Sequence, residues 1–364
     1  MKETVSKIYK REKAKQSEWY NLRPILGHAN WAIFFLLLGG REIGKSYSVT
    51  NFFVDQWKNK GIPFTWLRLT EAASRKLLMN NAEKLIDPDL RRKYNLDLVT
   101  SGNNVYEVTK RSEPDEEGKT KILEKKLMAR VYAISTFYND KGSIFDKDFL
   151  NDPNMRYNIA IDEFQREEGE KNTFDITYSL VNQLENLVRS TKDRVKIFFL
   201  GNTLEESSDI LCAFNFIPET WGIFKLKKKR AVIHNIAPTE AYKKRRAGSI
   251  ADILMPSAST FTNKIDTDNT LVTKQRLKEP SYVIKFRKNR DSWFTVWDGN
   301  IIRKYNGEKK QVIALRPYLE EVFNVDSQKQ IITLFDSRSF MFSNLITFKQ
   351  FQKEMSLLKP RGSK

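Results

Sequence analysis

The strongest constraint on the fold comes from residues 31–48, WAIFFLLLGGREIGKSYS, in which an apolar run leads into a glycine-rich stretch and then into Lys45 and Ser46. The spacing fits G-x-x-x-x-G-K-[ST], the pattern of a phosphate-binding loop between a strand and a helix. Glycines let the backbone turn its N–H groups toward phosphate oxygens, and the N-terminus of the following helix carries partial positive charge. The sequence therefore predicts a nucleotide site.

Within this loop we expect Lys45 to hold the outer phosphates of the nucleotide and the Ser46 hydroxyl to bind Mg²⁺. Arg41 is a candidate to contact phosphates or a neighbouring subunit. The alternative, an ordinary glycine-containing turn, is disfavoured because residues 47–54 can continue as a half-buried helix. The predicted nucleotide-binding residues are Gly39, Gly40, Arg41, Glu42, Ile43, Gly44, Lys45, Ser46 and Tyr47.

Composition indicates a globular protein with a polyanionic partner. The 364 residues are 40% hydrophobic and 12% aromatic, enough for one large or two ordinary domains. A formal net charge of +18 favours nucleic acid as the partner, the alternative being a protein that is merely lysine-rich. One cysteine and two histidines exclude an internal disulfide and a zinc site. The apolar run is too short to span a bilayer and the N-terminus lacks a secretory core, so we expect a cytoplasmic protein without a membrane partner.

A second motif, YNIAIDE at residues 157–163, is an apolar strand that ends in two carboxylates. At the end of a strand beside a phosphate-binding loop, Asp162 can bind Mg²⁺ and Glu163 can orient and deprotonate the attacking water. An apolar run followed by Asp-Glu is common by itself. The combination with the phosphate-binding loop is what predicts nucleotide hydrolysis.

A further buried strand is predicted at residues 195–200, and Asn202 follows it. Because ligands of open parallel sheets bind at the carboxyl ends of the strands, we expect Asn202 near Lys45 and Glu163, where it could sense the γ-phosphate. The alternative is a simple turn asparagine, since asparagine is frequent in turns.

Three basic residues are candidates to act on the nucleotide of a neighbouring subunit. Arg189 and Arg194 precede the strand at 195–200 and therefore lie roughly 20 Å from its phosphate edge. From there, either could reach a neighbour's nucleotide as an arginine finger, although Arg189 could instead cap a helix C-terminus. Lys141 is a second type of candidate for this role.

The remaining pattern predicts an α/β domain followed by a basic segment. We expect a strand at 63–70, a helix at 71–86, a β-hairpin from 105–108 and 127–133 around an acidic turn at 113–118, and a helix at 173–190. Two basic clusters, at 224–230 and 242–246, suggest a linker region that could line or flank a DNA path. The alternative is that they are solvated faces.

Taken together, GGREIGKSYS, YNIAIDEFQRE and LENLVRSTKDRVKIFFLGN resemble the DNA encapsidation ATPases of small Bacillus-type podophages, which package genomes at the portal vertex of an empty capsid. The resemblance implies a pentameric ring of additional-strand, catalytic-glutamate ATPases that uses ATP and Mg²⁺ to pump double-stranded DNA. It also implies contacts with the capsid portal or connector and with a structural prohead RNA. The protein would act in the host cell cytoplasm, transiently at the portal vertex, and be absent from the mature virion.

By motif position, the resemblance gives Lys45, Ser46, Asp162 and Glu163 the nucleotide and hydrolysis roles. Arg189 and Lys141 fall where the family's trans-acting residues are found. The spacing of basic residues near Arg189 differs from the family pattern, which leaves Arg194 as an alternative.

We therefore predict an α/β fold: a P-loop ATPase domain with a mostly parallel central sheet at 1–204, including a basic arm at 1–25, then a linker or lid at 205–268. At 269–364, predicted strands at 281–287, 292–297 and 301–305 followed by a helix suit a small β-rich α+β domain that is ribonuclease H-like. Two-metal cleavage needs clustered acids, whereas Asp268, Asp291 and Asp298 are scattered, so we expect no nuclease activity.

Three alternatives remain. A packaging terminase would also cut DNA, and a helicase-like translocase would have no connection with capsids. A GTP-switched binding protein is suggested by Asn263-Lys264-Ile265-Asp266, which matches the N-K-x-D pattern that reads guanine. A switch GTPase also needs D-x-x-G after its acidic strand, and Asp162 is instead followed by Glu163.

Overall fold

The computed structural model describes residues 19–137, 154, 156–164, 177, 179–181, 184, 194–202, 209–218, 220–254, 270–285, 293–304 and 325–358. The chain divides into two compact units. Unit 1 comprises residues 1–204 and 218–265, and unit 2 comprises residues 205–217 and 266–364. Within the described residues, no helix is both long and apolar enough to cross a membrane.

Unit 1 is built on a nine-stranded sheet in the order β3-β4-β5-β2-β6-β7-β1-β9-β8. Its strands are β1 Phe34–Leu38, β2 Phe64–Arg68, β3 Leu98–Ser101, β4 Asn104–Arg111, β5 Ile122–Ala133, β6 Tyr157–Asp162, β7 Val195–Gly201, β8 Gly222–Leu226 and β9 Ala231–Asn235. Strands β5, β2, β6, β7, β1 and β9 are parallel to one another, and antiparallel strands flank them at both edges. The predicted α/β fold with a mostly parallel sheet is confirmed.

The helices of unit 1 are α1 Arg23–His28, α2 Lys45–Lys60, α3 Glu71–Ala82, α4 Pro88–Tyr94, α5 Ile134–Phe137, α7 Glu240–Arg246 and α8 Ile250–Leu254. Residues 177, 179–181 and 184, from the helix predicted at 173–190, are also helical. Helix α2 buries Val49, Phe53 and Val54 completely, and the Phe53 ring packs against the rings of Phe64 and Phe198. This packing fixes α2 over the centre of the sheet, and with it the loop that precedes it.

Helix α2 ends before Gly61, whose φ of 64° lets its N–H donate to Trp57 O at 2.8 Å. Helix α3 is shorter than predicted, because Met79, Asn80 and Asn81 leave helical geometry and the two asparagines adopt left-handed conformations. Asparagine tolerates that region better than most residues do. The spacing of leucine and alanine predicted a helix as far as residue 86, because that spacing continues past the residues where the helix is interrupted.

Residues 205–268, predicted as a linker or lid, differ from that description in part. Strands β8 and β9 complete the sheet of unit 1, and β9 pairs in parallel with the central strand β1. The apolar residues that enter the sheet, such as Val232 and Ile233, are followed and preceded by many lysines and arginines. These two short strands were not predicted because the surrounding charged residues are typical of a solvated linker.

The described part of unit 2 holds a four-stranded sheet in the order β10-β11-β12-β13, with β10 Pro280–Lys285, β11 Trp293–Trp297, β12 Ile301–Lys304 and β13 Met341–Phe342. Its helices are α6 Asp209–Phe214, α9 Val325–Asp336 and α10 Leu345–Leu358. The core centres on Phe351, fully buried among the rings of Phe294, Phe335, Phe340 and Phe342. Within the described residues, the strands predicted at 281–287, 292–297 and 301–305 are confirmed as β10, β11 and β12. Asp298 (φ 49°) and Gly299 (φ 84°) form the turn between β11 and β12.

Candidate functional site: a nucleotide site at the carboxyl edge of the sheet

The phosphate-binding loop joins β1 to α2 at the carboxyl edge of the sheet. Glu42 and Gly44 have φ of 63° and 94°, so the backbone passes twice through the left-handed region. A Cβ on Gly44 would lie 3.2 Å from Trp19 Cε3, and a Cβ on Gly39 would lie 3.2 Å from Ile236 Cβ. A side chain at either position would therefore have to displace its neighbour slightly, and at Gly44 the left-handed φ also favours glycine.

Lys45 is buried at the first turn of α2, with 7% of its surface exposed. Its ammonium donates to Gly39 O at 2.6 Å and to Gly40 O at 2.8 Å. Burial lowers the pKa of Lys45 to about 8, and the charges of Asp162 and Glu163 oppose that shift. Lys45 is therefore held inside the loop that it is predicted to serve.

The two acids of the second motif lie where predicted. Asp162 ends β6 and is 9% exposed, while Glu163 follows it with φ 52° and donates its N–H to Leu200 O at 2.9 Å. Burial raises the pKa of Asp162, against the opposing effect of Arg68. The two carboxylates differ in setting, because Asp162 is enclosed whereas the side chain of Glu163 is 56% exposed.

Arg68, which belongs to neither sequence motif, joins both carboxylates. It is the last residue of β2, and its Nη1 donates to Asp162 Oδ2 at 2.8 Å while its Nη2 donates to Glu163 Oε2. Strand β2 lies directly beside β6, so their carboxyl ends meet. A charged residue that ends an apolar strand was the available signal, but the neighbour of β2 cannot be read from local sequence.

A cavity of about 700 Å³ lies beside these residues, lined by Ser46, Tyr47, Arg68, Asp162 and Glu163 among others. Ser46 is exposed at the start of α2 and shares this cavity with Asp162. A hydroxyl and one carboxylate suit Mg²⁺, which typically takes one or two carboxylates together with phosphate oxygens. Within the described residues, no group of three or more His, Cys, Asp or Glu side chains could form a dedicated metal site.

Asn202 lies at the same edge. It follows β7, whose Gly201 is paired with Leu38 of β1 and accepts the Gly39 N–H at 3.2 Å. Because β7 lies between β1 and β6, Asn202 leaves the sheet between the phosphate-binding loop and Glu163. Its backbone therefore leaves the sheet at the expected edge, while its nearness to the γ-phosphate and its sensing role stay predictions.

Arg194 lies at the opposite end of β7, where its carbonyl accepts the Tyr157 N–H at 2.8 Å. It is therefore remote from the phosphate edge of its own strand, as predicted. Arg189 and Lys141 lie outside the described residues, as does the 263–266 segment of the GTP-switch alternative. Asp268 and Asp291 also lie outside them, and the Asp298 carboxylate accepts the backbone N–H groups of Lys278 and Glu279.

The second basic cluster, at 242–246, contacts the phosphate-binding loop, a contact that no local sequence pattern predicts. Arg245 Nη2 donates to Glu42 O at 2.9 Å, and Arg246 Nη1 lies 3.1 Å from Glu42 Oε2. The Arg245 guanidinium also stacks 3.7 Å from the centre of the Trp19 ring. Helix α7 thus supports the loop from a position about 200 residues away in sequence, a distance that local patterns cannot bridge.

The geometry can be compared with known proteins. No protein-family model matches the chain. The DNA packaging proteins of Bacillus phage phi29 and Bacillus phage PZA are each 20% identical to it over 280 residues, which cover 75% of this chain and 74% of the relative. The chain resembles the DNA packaging proteins of podophages.

Two solved structures share the fold over nearly the whole chain. The Phi-28 gp11 DNA packaging motor matches with a TM-score of 0.60 and 15% identity, covering 96% of this chain and 100% of that one. The bacteriophage Phi-29 viral genome packaging motor assembly matches with a TM-score of 0.60 and 18% identity, covering 94% and 100%. These packaging proteins therefore have the same overall architecture as this chain.

Proposed function

We propose that this protein is a viral DNA-packaging ATPase that couples ATP hydrolysis to translocation of double-stranded DNA into a preformed capsid. The observation that carries the proposal is the meeting of Lys45, Ser46, Asp162 and Glu163 at one sheet edge, with β7 inserted between the strands that bear the loop and the acids. The resemblance to DNA packaging proteins supplies the biological context.

ATP would be held by the backbone of residues 39–47 and by Lys45, and Mg²⁺ by Ser46 and Asp162. When bound, Mg²⁺ neutralises charge on the outer phosphates. Lys45 Nζ donates hydrogen bonds to Gly39 O and Gly40 O, which belong to the phosphate-binding loop. The ammonium therefore needs only a small movement to reach a phosphate bound in that loop. The side chains at the site fit this ligand set because they present cations and N–H groups on one side and hard oxygen ligands on the other.

Glu163 is the proposed general base, since its exposed carboxylate borders the cavity where an attacking water would stand. In the present geometry its Oε2 accepts a hydrogen bond from Arg68 Nη2, which occupies that oxygen. Glu163 therefore has to leave Arg68 before it can accept a proton from water. Asn202 would sense the γ-phosphate.

The proposed working form is a homo-oligomeric ring, and the resemblance implies that the ring is a pentamer. A basic residue of one subunit would complete the nucleotide site of the next. The candidates are Arg189, Lys141 and Arg194. The ring would bind double-stranded DNA, the capsid portal or connector and a structural prohead RNA. It would work in the host cytoplasm, transiently at the portal vertex, and be absent from the mature virion.

Unit 2 is proposed to be a ribonuclease H-like domain without nuclease activity. Support comes from its sheet followed by helices, and from Asp298, whose carboxylate is engaged in closing a turn. Its role would be docking to the portal, DNA or RNA. Incubation of plasmid with Mn²⁺ would expose a nuclease if one were present.

The decisive experiment measures ATP hydrolysis with and without double-stranded DNA for the unaltered chain, Glu163→Gln, Arg189→Ala and an equimolar mixture of the two variants. We expect each variant alone to be inactive and the mixture to recover part of the rate, because one intact site then forms between unlike subunits. Full activity of Arg189→Ala would move the trans role to Lys141 or Arg194. Normal hydrolysis by Glu163→Gln would refute the mechanism.

A further inference from the structure

The amino-terminal edge of the unit 1 sheet, opposite the nucleotide site, is lined by cations. The β8–β9 turn consists of Lys227, Lys228, Lys229 and Arg230, all exposed. Because β9 runs parallel to β1, this turn lies where β1, β7 and β6 begin. At the starts of β6 and β7 lie Arg156, Arg194 and Lys196. We call these seven residues the basic edge.

Strand register brings these residues, distant in sequence, into line. Phe34 pairs with Ile197 and the Ile33 N–H donates to Arg230 O at 2.8 Å, so Lys196, Ile33 and Arg230 form one row across the sheet. Tyr157 pairs with Val195, so the residues before them, Arg156 and Arg194, are also neighbours. From β6 to β8 there are four inter-strand spacings of about 4.8 Å, so the basic edge extends about 19 Å.

Among the described residues, no acidic side chain offsets the charge of the three lysines in this turn. Within the described part of the chain, Lys227, Lys228 and Lys229 form no ion pair, and the described residues that lead into β1, β2, β6, β7 and β9 include no Asp or Glu. Burial, and then the positive charge of Arg156, lowers the pKa of Lys196, so these two cations repel each other. An approaching anion would relieve that repulsion.

The turn that carries the lysines is also well defined. Residues Lys227–Lys229 form one 3₁₀ turn, and Arg230 (φ 51°) closes it by donating its N–H to Lys227 O at 3.0 Å. Arg230 Nε also donates to Trp31 O at 3.4 Å, which ties the turn to the start of β1. The lysine side chains therefore project from a fixed backbone rather than from a loose loop.

Resting on the function proposed above, we propose that the basic edge is the surface through which each subunit holds the phosphate backbone of double-stranded DNA. A duplex carries one negative charge per about 1.7 Å, so 19 Å of its axis offers about 11 phosphates. Single-strand sites usually add exposed aromatic rings for base stacking. Among the described residues of this edge, Trp31 is half-buried and no aromatic ring is exposed, which favours the duplex.

The two basic clusters, at 224–230 and 242–246, lie at opposite edges of the unit 1 sheet. Arg245 and Arg246 of the second cluster are engaged with Glu42 in the phosphate-binding loop, at the opposite edge of the sheet. Only the first cluster joins a larger basic surface. DNA held there would sense hydrolysis through the strands and α2 rather than by direct contact with the nucleotide.

The test uses the full chain and a fluorescein-labelled 30-base-pair DNA duplex, with affinity measured by anisotropy between 50 and 200 mM salt. The variant combines Lys227→Gln, Lys228→Gln and Lys229→Gln. Each lost phosphate contact reduces the slope of log affinity against log salt by about 0.9, so the three reduce it by about 2.7. Between 50 and 200 mM salt, the fold-loss of DNA affinity should therefore be about 40 times smaller for the variant than for the unaltered chain.

A matched control combines Lys110→Gln, Lys121→Gln and Lys126→Gln on the β4–β5 hairpin, where all three lysines are exposed. It changes net charge equally and should leave the slope unchanged. Arg156→Gln, at the far end of the basic edge, should reduce the slope by about 0.9. Thermal unfolding of each variant checks that the fold is retained.

Equal slopes for the basic-edge variant and the hairpin control would overturn the proposal while leaving the packaging function standing. The same would follow if the lost slope were seen with duplex RNA and not with duplex DNA. Failure of the unaltered chain to bind any duplex DNA would instead refute the proposed function itself.

Discussion

At the scale of single residues, the nucleotide site holds two buried ionisable side chains whose pKa values are shifted by their surroundings. Lys45 and Asp162 are both buried, and burial shifts the pKa of each toward its neutral form. Their mutual attraction, together with Arg68, counters this shift. Such opposed influences are typical of functional sites, and they make the site sensitive to pH in a direction that can be worked out.

We predict that ATP affinity of the nucleotide-free protein falls above pH 8. The pKa of Lys45 is lowered to about 8, so the ammonium is charged below that pH and increasingly neutral above it. A neutral amine loses its attraction for phosphate, and affinity should fall by up to about tenfold per pH unit. The measurement is the Kd of a fluorescent ATP analogue from pH 7 to 9.5.

The matched control for this prediction is Lys45→Arg, because a guanidinium stays charged over the whole range. Its affinity is expected to be weaker but independent of pH. An unaltered protein whose affinity is also flat to pH 9.5 would show that Lys45 keeps an ordinary pKa.

At the scale of elements, a buried carboxylate links the nucleotide helix to the antiparallel side of the sheet. Glu107 of β4 is 9% exposed, and it accepts from Trp57 Nε1 at 2.5 Å and from Lys58 Nζ at 2.6 Å. Both donors belong to the last turns of α2. This link fixes the end of α2 that is remote from the phosphates.

We predict that Glu107→Ala lowers the free energy of unfolding by about 3 kcal/mol, because it leaves the buried indole N–H of Trp57 without an acceptor and removes a charge-assisted bond. Glu107→Gln keeps an acceptor for Trp57 and should cost about 1 kcal/mol. Urea unfolding of the three proteins measures both values. Equal losses for the two variants would contradict the role given to the indole bond.

The sequence predicted those elements whose pattern is local. The apolar strands β1, β6 and β7 and the loop glycines all follow from neighbours a few residues apart. Arg68 and the Arg245–Glu42 contact could not be predicted, because each depends on which strands become neighbours. Strands β8 and β9 were not predicted, because the lysines that flank them were interpreted as part of a linker.

At the scale of the whole molecule, each unit has its own hydrophobic core. In unit 2, Phe351 is fully buried and meets four other phenylalanine rings. In unit 1, the core lies between α2 and the parallel strands. Separate cores allow the stability of one unit to be altered while the other is monitored.

We predict that Phe351→Ala destabilises unit 2 by about 3–5 kcal/mol, through lost burial and a cavity among the neighbouring rings. Binding of a fluorescent ATP analogue should be unchanged, since the residues of the nucleotide site belong to unit 1. Phe351→Leu, which keeps most of the volume, should cost less. Calorimetry and nucleotide titration measure the two effects, and loss of ATP binding in Phe351→Ala would contradict the independence of the cores.

The pairing of β1 has a consequence for synthesis of the chain. Strand β1 reaches the ribosome exit early, but its two neighbours are β7 and β9, about 160 and 200 residues later. The arginines that support the phosphate-binding loop come later still. At about 5–20 residues per second, roughly 10–40 s pass before the loop can be completed. A nascent chain is therefore unable to bind ATP until synthesis has passed Arg246.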